Sequence, residues 1–310
     1  MSRLQSAMEY LMTYGWAILV IAVVLGALYS LGVFNSANFA PRAQPGACEI
    51  FRPDGPNTNF DLNLEGMCNG ELPEYVFKSR GVGDYIYVPG SNLSSSLLNI
   101  EGNLTITAWV EPYGSPYHDI VDKEGQYGMK LDYNNLPHPC SPSGYTGFCL
   151  EWDSNGNWTG PGAAIPNSSF GKWMFLSVSI EYNATTGESM KYWYANGQLI
   201  RSGSASGEML YSNTNFTIGA ISRYSVAGYG DAEWFNGSIS NIQVYNTALS
   251  ANDIKALYLE GIGGAPVDLQ NLVAWYPLNG NANDYSGNGN NGVPSNVIFS
   301  GDWYSGYTIP

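Results

Sequence analysis

The chain has 310 residues, enough for one large domain or two ordinary ones with an appendage. Its 12 Lys and Arg stand against 26 Asp and Glu, a net charge of −14, which excludes a nucleic-acid surface built on clustered cations. Charged residues make up only 12 % of the chain, about half the usual ~25 %, so neutral Gly, Asn, Ser and Tyr supply the polar surface, as in secreted β-rich proteins rather than cytosolic enzymes.

No charge occurs between Glu9 and Arg42, and Leu11 to Phe34 is almost wholly apolar. A helix over that run reaches ~36 Å, enough to cross a ~30 Å hydrocarbon core. It is too long for the apolar stretch of a cleaved signal, and Ala37 to Ala40 makes a poor cleavage site. Arg3 precedes the run, which places the amino terminus in the cytoplasm and everything after Phe34 outside. Ala22, Gly26 and Ser30 repeat at every fourth position, a spacing that lets helix backbones approach closely.

The words Gln5-Ser-Ala-Met-Glu9-Tyr-Leu-Met-Thr-Tyr-Gly resemble the amino terminus of archaeal type IV prepilins. The resemblance implies a leader, residues 1–4, removed between Leu4 and Gln5 by a prepilin peptidase. It also implies a helix over 5–36 that leaves the membrane, with the help of pilus assembly machinery, to build a homopolymer. Glu9 is then the fifth mature residue, and an acid at an apolar helix end needs a partner, which the new α-amino group of a neighbouring subunit supplies. The family usually carries Gly before the cut, where this chain has Leu4.

Residues 37–47 hold two prolines and a glycine and read as a linker. Outside the cell, Cys48, Cys68, Cys140 and Cys149 form disulfides. Three connectivities are open; Cys48–Cys68 with Cys140–Cys149 is favoured, because each pair brackets one Gly/Pro/Asn-rich loop. The first pair would close a small add-on over 48–74. A zinc site fails on spacing, and His118 and His138 read as exposed loop residues. Asn-x-Ser/Thr sequons stand at Asn92, Asn103, Asn157, Asn167, Asn183, Asn215 and Asn236, and mark a glycoprotein surface if used.

From Tyr75 onward, short β-rich runs alternate with turn signals. Strands are predicted at 84–89, 104–110, 173–180, 215–219 and 238–245, with a hairpin over 191–200 turning on Asn196-Gly197. The alternation predicts sheets with one face on a core and the other in solvent. One helix is expected at 251–258, capped by Ser250 with Asp253 in its first turn.

Gly83-Asp-Tyr-Ile-Tyr-Val-Pro89, Leu104-Thr-Ile-Thr-Ala-Trp-Val110, Tyr194-Ala-Asn-Gly-Gln-Leu199, Thr217-Ile-Gly-Ala220 and Phe235-Asn-Gly-Ser-Ile239 through Val244-Tyr-Asn-Thr-Ala-Leu-Ser250 together resemble the laminin-G-like, concanavalin A-like family. Leu272-Val-Ala-Trp-Tyr-Pro-Leu-Asn-Gly-Asn-Ala-Asn-Asp284-Tyr-Ser-Gly-Asn-Gly resembles the segment that opens such domains, yet stands near the carboxyl end. The fold class expected is therefore mainly β. A long N-terminal hydrophobic helix is followed by one jelly-roll β-sandwich over 75–310, circularly permuted so that residues 263–310 supply its missing strands, in the same chain or in a neighbouring subunit.

The resemblance implies a structural Ca²⁺ at Asp284, with Asn281 and the backbone near Gly287 adding oxygens; the second acidic ligand position holds Ser240 instead. The competing reading of Asp284 is an Asx turn. Tyr145, Trp152 and Trp158 lie in a Gly/Asn-rich stretch and form a candidate glycan-stacking platform. Glu151-Trp-Asp153 is the nearest approach to a glycosidase carboxylate pair, but it lacks a third acid and reads as loop, so no enzyme is expected. The function expected is a pilin of a surface filament, inserted first as a single-pass membrane precursor, with the sandwich exposed for adhesion or surface-glycan contact. The alternative is a membrane-anchored lectin that does not polymerise; a glycoside hydrolase stands third.

Overall fold

The computed structural model describes residues 19–26, 47–48, 50–51, 62–63, 72–114, 117–132, 145–154, 157–158, 162–222 and 233–310, without the side chains of 47–63, 117–118 and 151–158. The chain divides into two compact units, residues 1–42 and 43–310. In the first, residues 19–26 are helical with exposed side chains. The rest of the expected helix over 5–36 lies outside the described residues, and among those described no helix is long and apolar enough to cross a membrane.

The second unit begins with β1 (Ala47–Cys48), β2 (Ile50–Phe51), β3 (Leu62–Asn63) and β4 (Leu72–Pro73). These make two small sheets, β1 antiparallel to β3 and β2 parallel to β4. There follow β5 (Val76–Arg80), β6 (Tyr85–Val88), β7 (Leu104–Pro112), β8 (Tyr117–Lys123), β9 (Tyr127–Asp132), β10 (Thr146–Ser154), β11 (Asn157–Trp158) and β12 (Ala163–Ile165). Next come β13 (Met174–Asn183), β14 (Glu188–Ala195), β15 (Gln198–Ser206), β16 (Phe216–Ile218) and β17 (Asn236–Tyr245). Helix α1 (Ala251–Glu260), β18 (Leu272–Tyr276), β19 (Val293–Ser295) and β20 (Ile298–Ser300) complete the order.

The result is a mainly β, jelly-roll-like sandwich of two sheets. One sheet runs β11-β10-β9-β8-β16-β6-β19, with β12 beside β10; the other runs β15-β14-β13-β7-β17-β5-β20, with β18 beside β17. Register follows apolar pairing. Leu176 faces Ala108, Val178 faces Ile106 and Ile180 faces Leu104, all on the inner core. Between them Ser179 faces Thr105 on the other side, their hydroxyls 3.1 Å apart.

The expectation of a solvated outer face fails here. Every residue of β7 is buried, and β17 is buried beyond its first residue. Trp109, Phe175 and Tyr245 point outward into a second apolar layer made with Ile254 and Leu257 of α1 and with Trp303 of the chain's last segment. Trp109 stacks on Tyr258 at 5.9 Å and meets Tyr307 edge-on at 5.5 Å. A helix and a strap therefore take the place of water on that face.

The local turns form as their residues dictate. Asn196 and Gly197 have φ of 49° and 71°, the left-handed pair a two-residue hairpin requires. A Cβ at Gly197 would also lie 2.9 Å from the Tyr258 ring. Ser250 and Asp253 cap α1 reciprocally, each side chain meeting the other's backbone N–H. The last 48 residues enter both sheets of their own chain: β18 pairs with β17, β19 with β6 and β20 with β5.

Candidate functional site

After β18 the chain makes a tight Asn/Gly-rich turn that is organised around Asp284. The N–H groups of Trp275 and Ser286 donate to its Oδ1 at 3.0 and 2.9 Å. Ser286 Oγ and the Asn290 N–H donate to Oδ2, each at 2.9 Å. Asn288 and Asn290 turn their amides back onto the Leu272 and Val273 carbonyls at 2.9–3.0 Å, satisfying backbone groups of β18.

Calcium does not fit this arrangement. A hard cation needs six to eight converging oxygen lone pairs, and four N–H or O–H donors already cover the Asp284 carboxylate. Asn281 Oδ1 accepts the Asn283 N–H at 2.9 Å, and buried Ser240 donates to the Pro277 carbonyl at 3.1 Å. Among the described residues no group of three or more His, Cys, Asp or Glu is placed to hold a metal. Asp284 is an Asx-turn hub.

The turn builds one wall of an open pocket of about 180 Å³. Tyr285 donates its N–H to the Trp275 carbonyl at 2.8 Å, and the two rings stand 6.2 Å apart at 66°, forming a corner. Trp275 Nε1 donates to Asn241 Oδ1 at 2.8 Å. Asn241 sits at a bulge of β17 with φ of 48°, and its amide donates to the Gly264 carbonyl at 2.8 Å. Gln243 Nε2 reaches the same Oδ1 at 3.1 Å. Leu72, Pro73, Ile262 and Pro277 add aliphatic lining, Asn279 adds an amide whose Oδ1 accepts the Tyr75 N–H at 2.9 Å, and no charged side chain lines the space among the described residues. Among the described residues Asn241 keeps one amide hydrogen and Tyr285 its hydroxyl hydrogen without an acceptor, Tyr285 Oη receiving Asn281 Nδ2 at 3.1 Å.

Charge is concentrated elsewhere. Asp119, Asp122, Lys130 and Asp132 are buried on β8 and β9, with Lys130 Nζ 3.1 Å from Glu233. Asp122 accepts the Ser222 N–H at 2.7 Å; burial, with the Glu124 charge added, pushes its carboxyl up to about 7. Lys123 donates to the carbonyls of Ser91, Ser212 and Thr214 at 2.7, 3.4 and 2.6 Å, while burial draws its ammonium down to about 8. These groups bond to the protein itself and tie loops together.

The residues singled out from sequence are scattered. Leu4, Gln5, Glu9 and Ser30 lie outside the described residues; Ala22 and Gly26 are helical and exposed, with open space beside Gly26. Cys149 is disulfide-bonded, whereas Cys68, Cys140 and the side chain of Cys48 lie outside the description. Of the sequons, Asn92, Asn167 and Asn183 are exposed; Asn103, Asn215 and Asn236 are partly buried, and the side chain of Asn157 is not described.

Three loop expectations are corrected. Glu151, Trp152 and Asp153 lie in β10, Trp158 in β11 and His118 in β8; His138 is outside the described residues. Tyr145 is exposed just before β10, so at ~3.3 Å per residue it stands ~23 Å from Trp152 along the strand, while β11 brings Trp158 opposite Asp153. The pocket at Trp275 and Tyr285 was missed because its walls come from four separate stretches of chain; the visible signal was the aromatic pair flanking Asp284.

Residues 80–255 match a family model described as the concanavalin A-like lectin/glucanases superfamily. Among solved structures, a candidate carbohydrate binding protein from Bacteroides ovatus superposes with a TM-score of 0.52 at 18 % identity, covering 78 % of this chain and 66 % of that one. This chain thus spans just under two thirds of that neighbour's length. The SAP-like pentraxin of Limulus polyphemus gives a TM-score of 0.45 at 13 % identity over 73 % and 93 % of the two chains. The CBM40 of Ruminococcus gnavus IT-sialidase gives 0.41 at 16 % over 59 % and 96 %. Such identities speak to the fold alone. No curated protein matches the chain.

Proposed function

Because this chain belongs to the concanavalin A-like lectin/glucanases superfamily, we propose that it is a non-catalytic surface lectin or adhesin, tethered by its apolar amino-terminal segment and holding glycan at the Trp275–Tyr285 pocket. The observation that carries this reading is the pocket itself. An aromatic corner, two uncommitted donors and an aliphatic wall are the mixture a sugar ring requires, with apolar C–H faces and polar edges. The order of strands is read as a permuted version of the family's, since the family match ends at residue 255 while β18, β19 and β20 lie beyond it.

The test is retention of the full-length protein, in detergent micelles, on immobilised surface polysaccharide. Trp275→Ala is expected to lower binding at least about tenfold, the worth of one aromatic stacking surface. Unchanged retention would remove the pocket from the function.

A second reading is favoured by one sequence observation, the acid at Glu9 four residues after Gln5 at the head of the apolar run. In it the same chain is a filament subunit of the archaeal type IV kind, cut before Gln5, with helices bundled through Ala22, Gly26 and Ser30 and the sandwich displayed outside. Mass spectrometry of surface material distinguishes the two: a mature chain starting at Gln5 supports the filament, an intact start supports the tethered lectin.

A further inference from the structure

We propose that the Trp275–Tyr285 pocket selects a neutral N-acetylhexosamine, the acetamido carbonyl meeting the free donors and the methyl lying on the aliphatic wall. The inference rests on the glycan-binding reading above and names the sugar class.

Four features of the site lead to it. The volume, about 180 Å³, falls below the ~300–1,000 Å³ of pockets that hold drug-sized ligands, so one ring enters. No Lys, Arg or His lines the space among the described residues, so the carboxylate of an acidic sugar would be desolvated with no cation to meet it. Three polar side chains line the space: Asn241 Oδ1 is already taken by Trp275 and Gln243, Asn279 Oδ1 takes the Tyr75 N–H at 2.9 Å, and an Asn241 amide hydrogen and the Tyr285 hydroxyl remain as donors. A ligand that brings an acceptor meets them best, and an amide carbonyl is a stronger one than a sugar hydroxyl. Lastly, Leu72, Pro73, Ile262 and Pro277 also line the space, and a plain hexose would set hydroxyls against them unpaired. An acetamido group supplies carbonyl and methyl together.

The experiment is a titration of the full-length protein in micelles with N-acetylglucosamine, N-acetylgalactosamine, glucose, galactose and sialyllactose. Tryptophan fluorescence and saturation transfer to the acetyl methyl are the readouts. N-acetylhexosamines are expected to bind about tenfold or more tighter than their parent hexoses, with sialyllactose weakest. The methyl should receive the largest transfer. Tyr285→Phe keeps the ring and removes one donor, and should weaken N-acetylhexosamine about two- to tenfold while leaving hexose binding alone. Equal binding of hexoses and N-acetylhexosamines, or indifference to Tyr285→Phe, would overturn the sugar class while the lectin reading stands. Sugar binding untouched by Trp275→Ala would overturn the site. If no saccharide binds the folded protein, the lectin reading fails with the inference.

Discussion

Asp284 and Lys123 are both charged side chains that knot backbone together, and they do so at opposite ranges. The donors on Asp284 come from residues two, six and nine positions away. The carbonyls that hold Lys123 come from residues 32, 89 and 91 positions away. The first knot is a turn that closes itself. The second joins loops that meet only once β8, β16 and β6 have paired in one sheet, so its loss strands groups in several segments at once.

Replacing Lys123 by Met tests the long-range knot and should have the largest effect. Three carbonyls lose their donor in a fully buried place, and destabilisation of about 3–5 kcal/mol is expected in denaturant titration. An unchanged midpoint would show that the two knots do not differ as described. Asp284→Ala should cost about 2 kcal/mol, because the orphaned N–H groups of Trp275, Ser286 and Asn290 lie in a partly exposed turn that water reaches. Hydrogen exchange should quicken at those three amides and not in β7. Calcium or EDTA should leave the unfolding temperature of the parent protein where it is; a rise with calcium would return an ion to the turn.

A last test sharpens the comparison through pH. Asp122 has few donors, and its carboxyl is raised from 3.8 to about 7, so the folded state holds that proton more tightly than the unfolded one. Its stabilising contribution is complete below pH ~4 and is lost as pH rises through ~7. Asp122→Asn mimics the protonated form. It should be close to neutral at pH 4 and stabilising at pH 8, read as a gap in melting temperature that opens with pH. A gap of constant size would mean that Asp122 does not titrate in this range.

Features carried by near neighbours in the chain were legible. The Asn196-Gly197 hairpin, the Ser250 cap and the strand at Leu104 each depend on residues a few positions apart, and each lies where the pattern puts it. The outer layer was not legible. Trp109 alternates correctly with Ala108 and Val110, but nothing near it in sequence tells that Tyr258 and Tyr307 cover it in place of water. The spacing of the candidate glycan-stacking residues was illegible for a related reason. Tyr145 and Trp152 are close along the chain, yet β10 is extended between them, while Trp158 returns on β11 opposite Asp153.

Period, turn chemistry and capping thus determined the elements of this protein from sequence, because they are energies of residues within a turn or a strand step of one another. Which faces were buried, where the pocket opened and what Lys123 holds were decided by tertiary structure. Those outcomes depend on groups from Leu72 to Trp303 arriving at one place, and on whether protein or water satisfies each polar atom there.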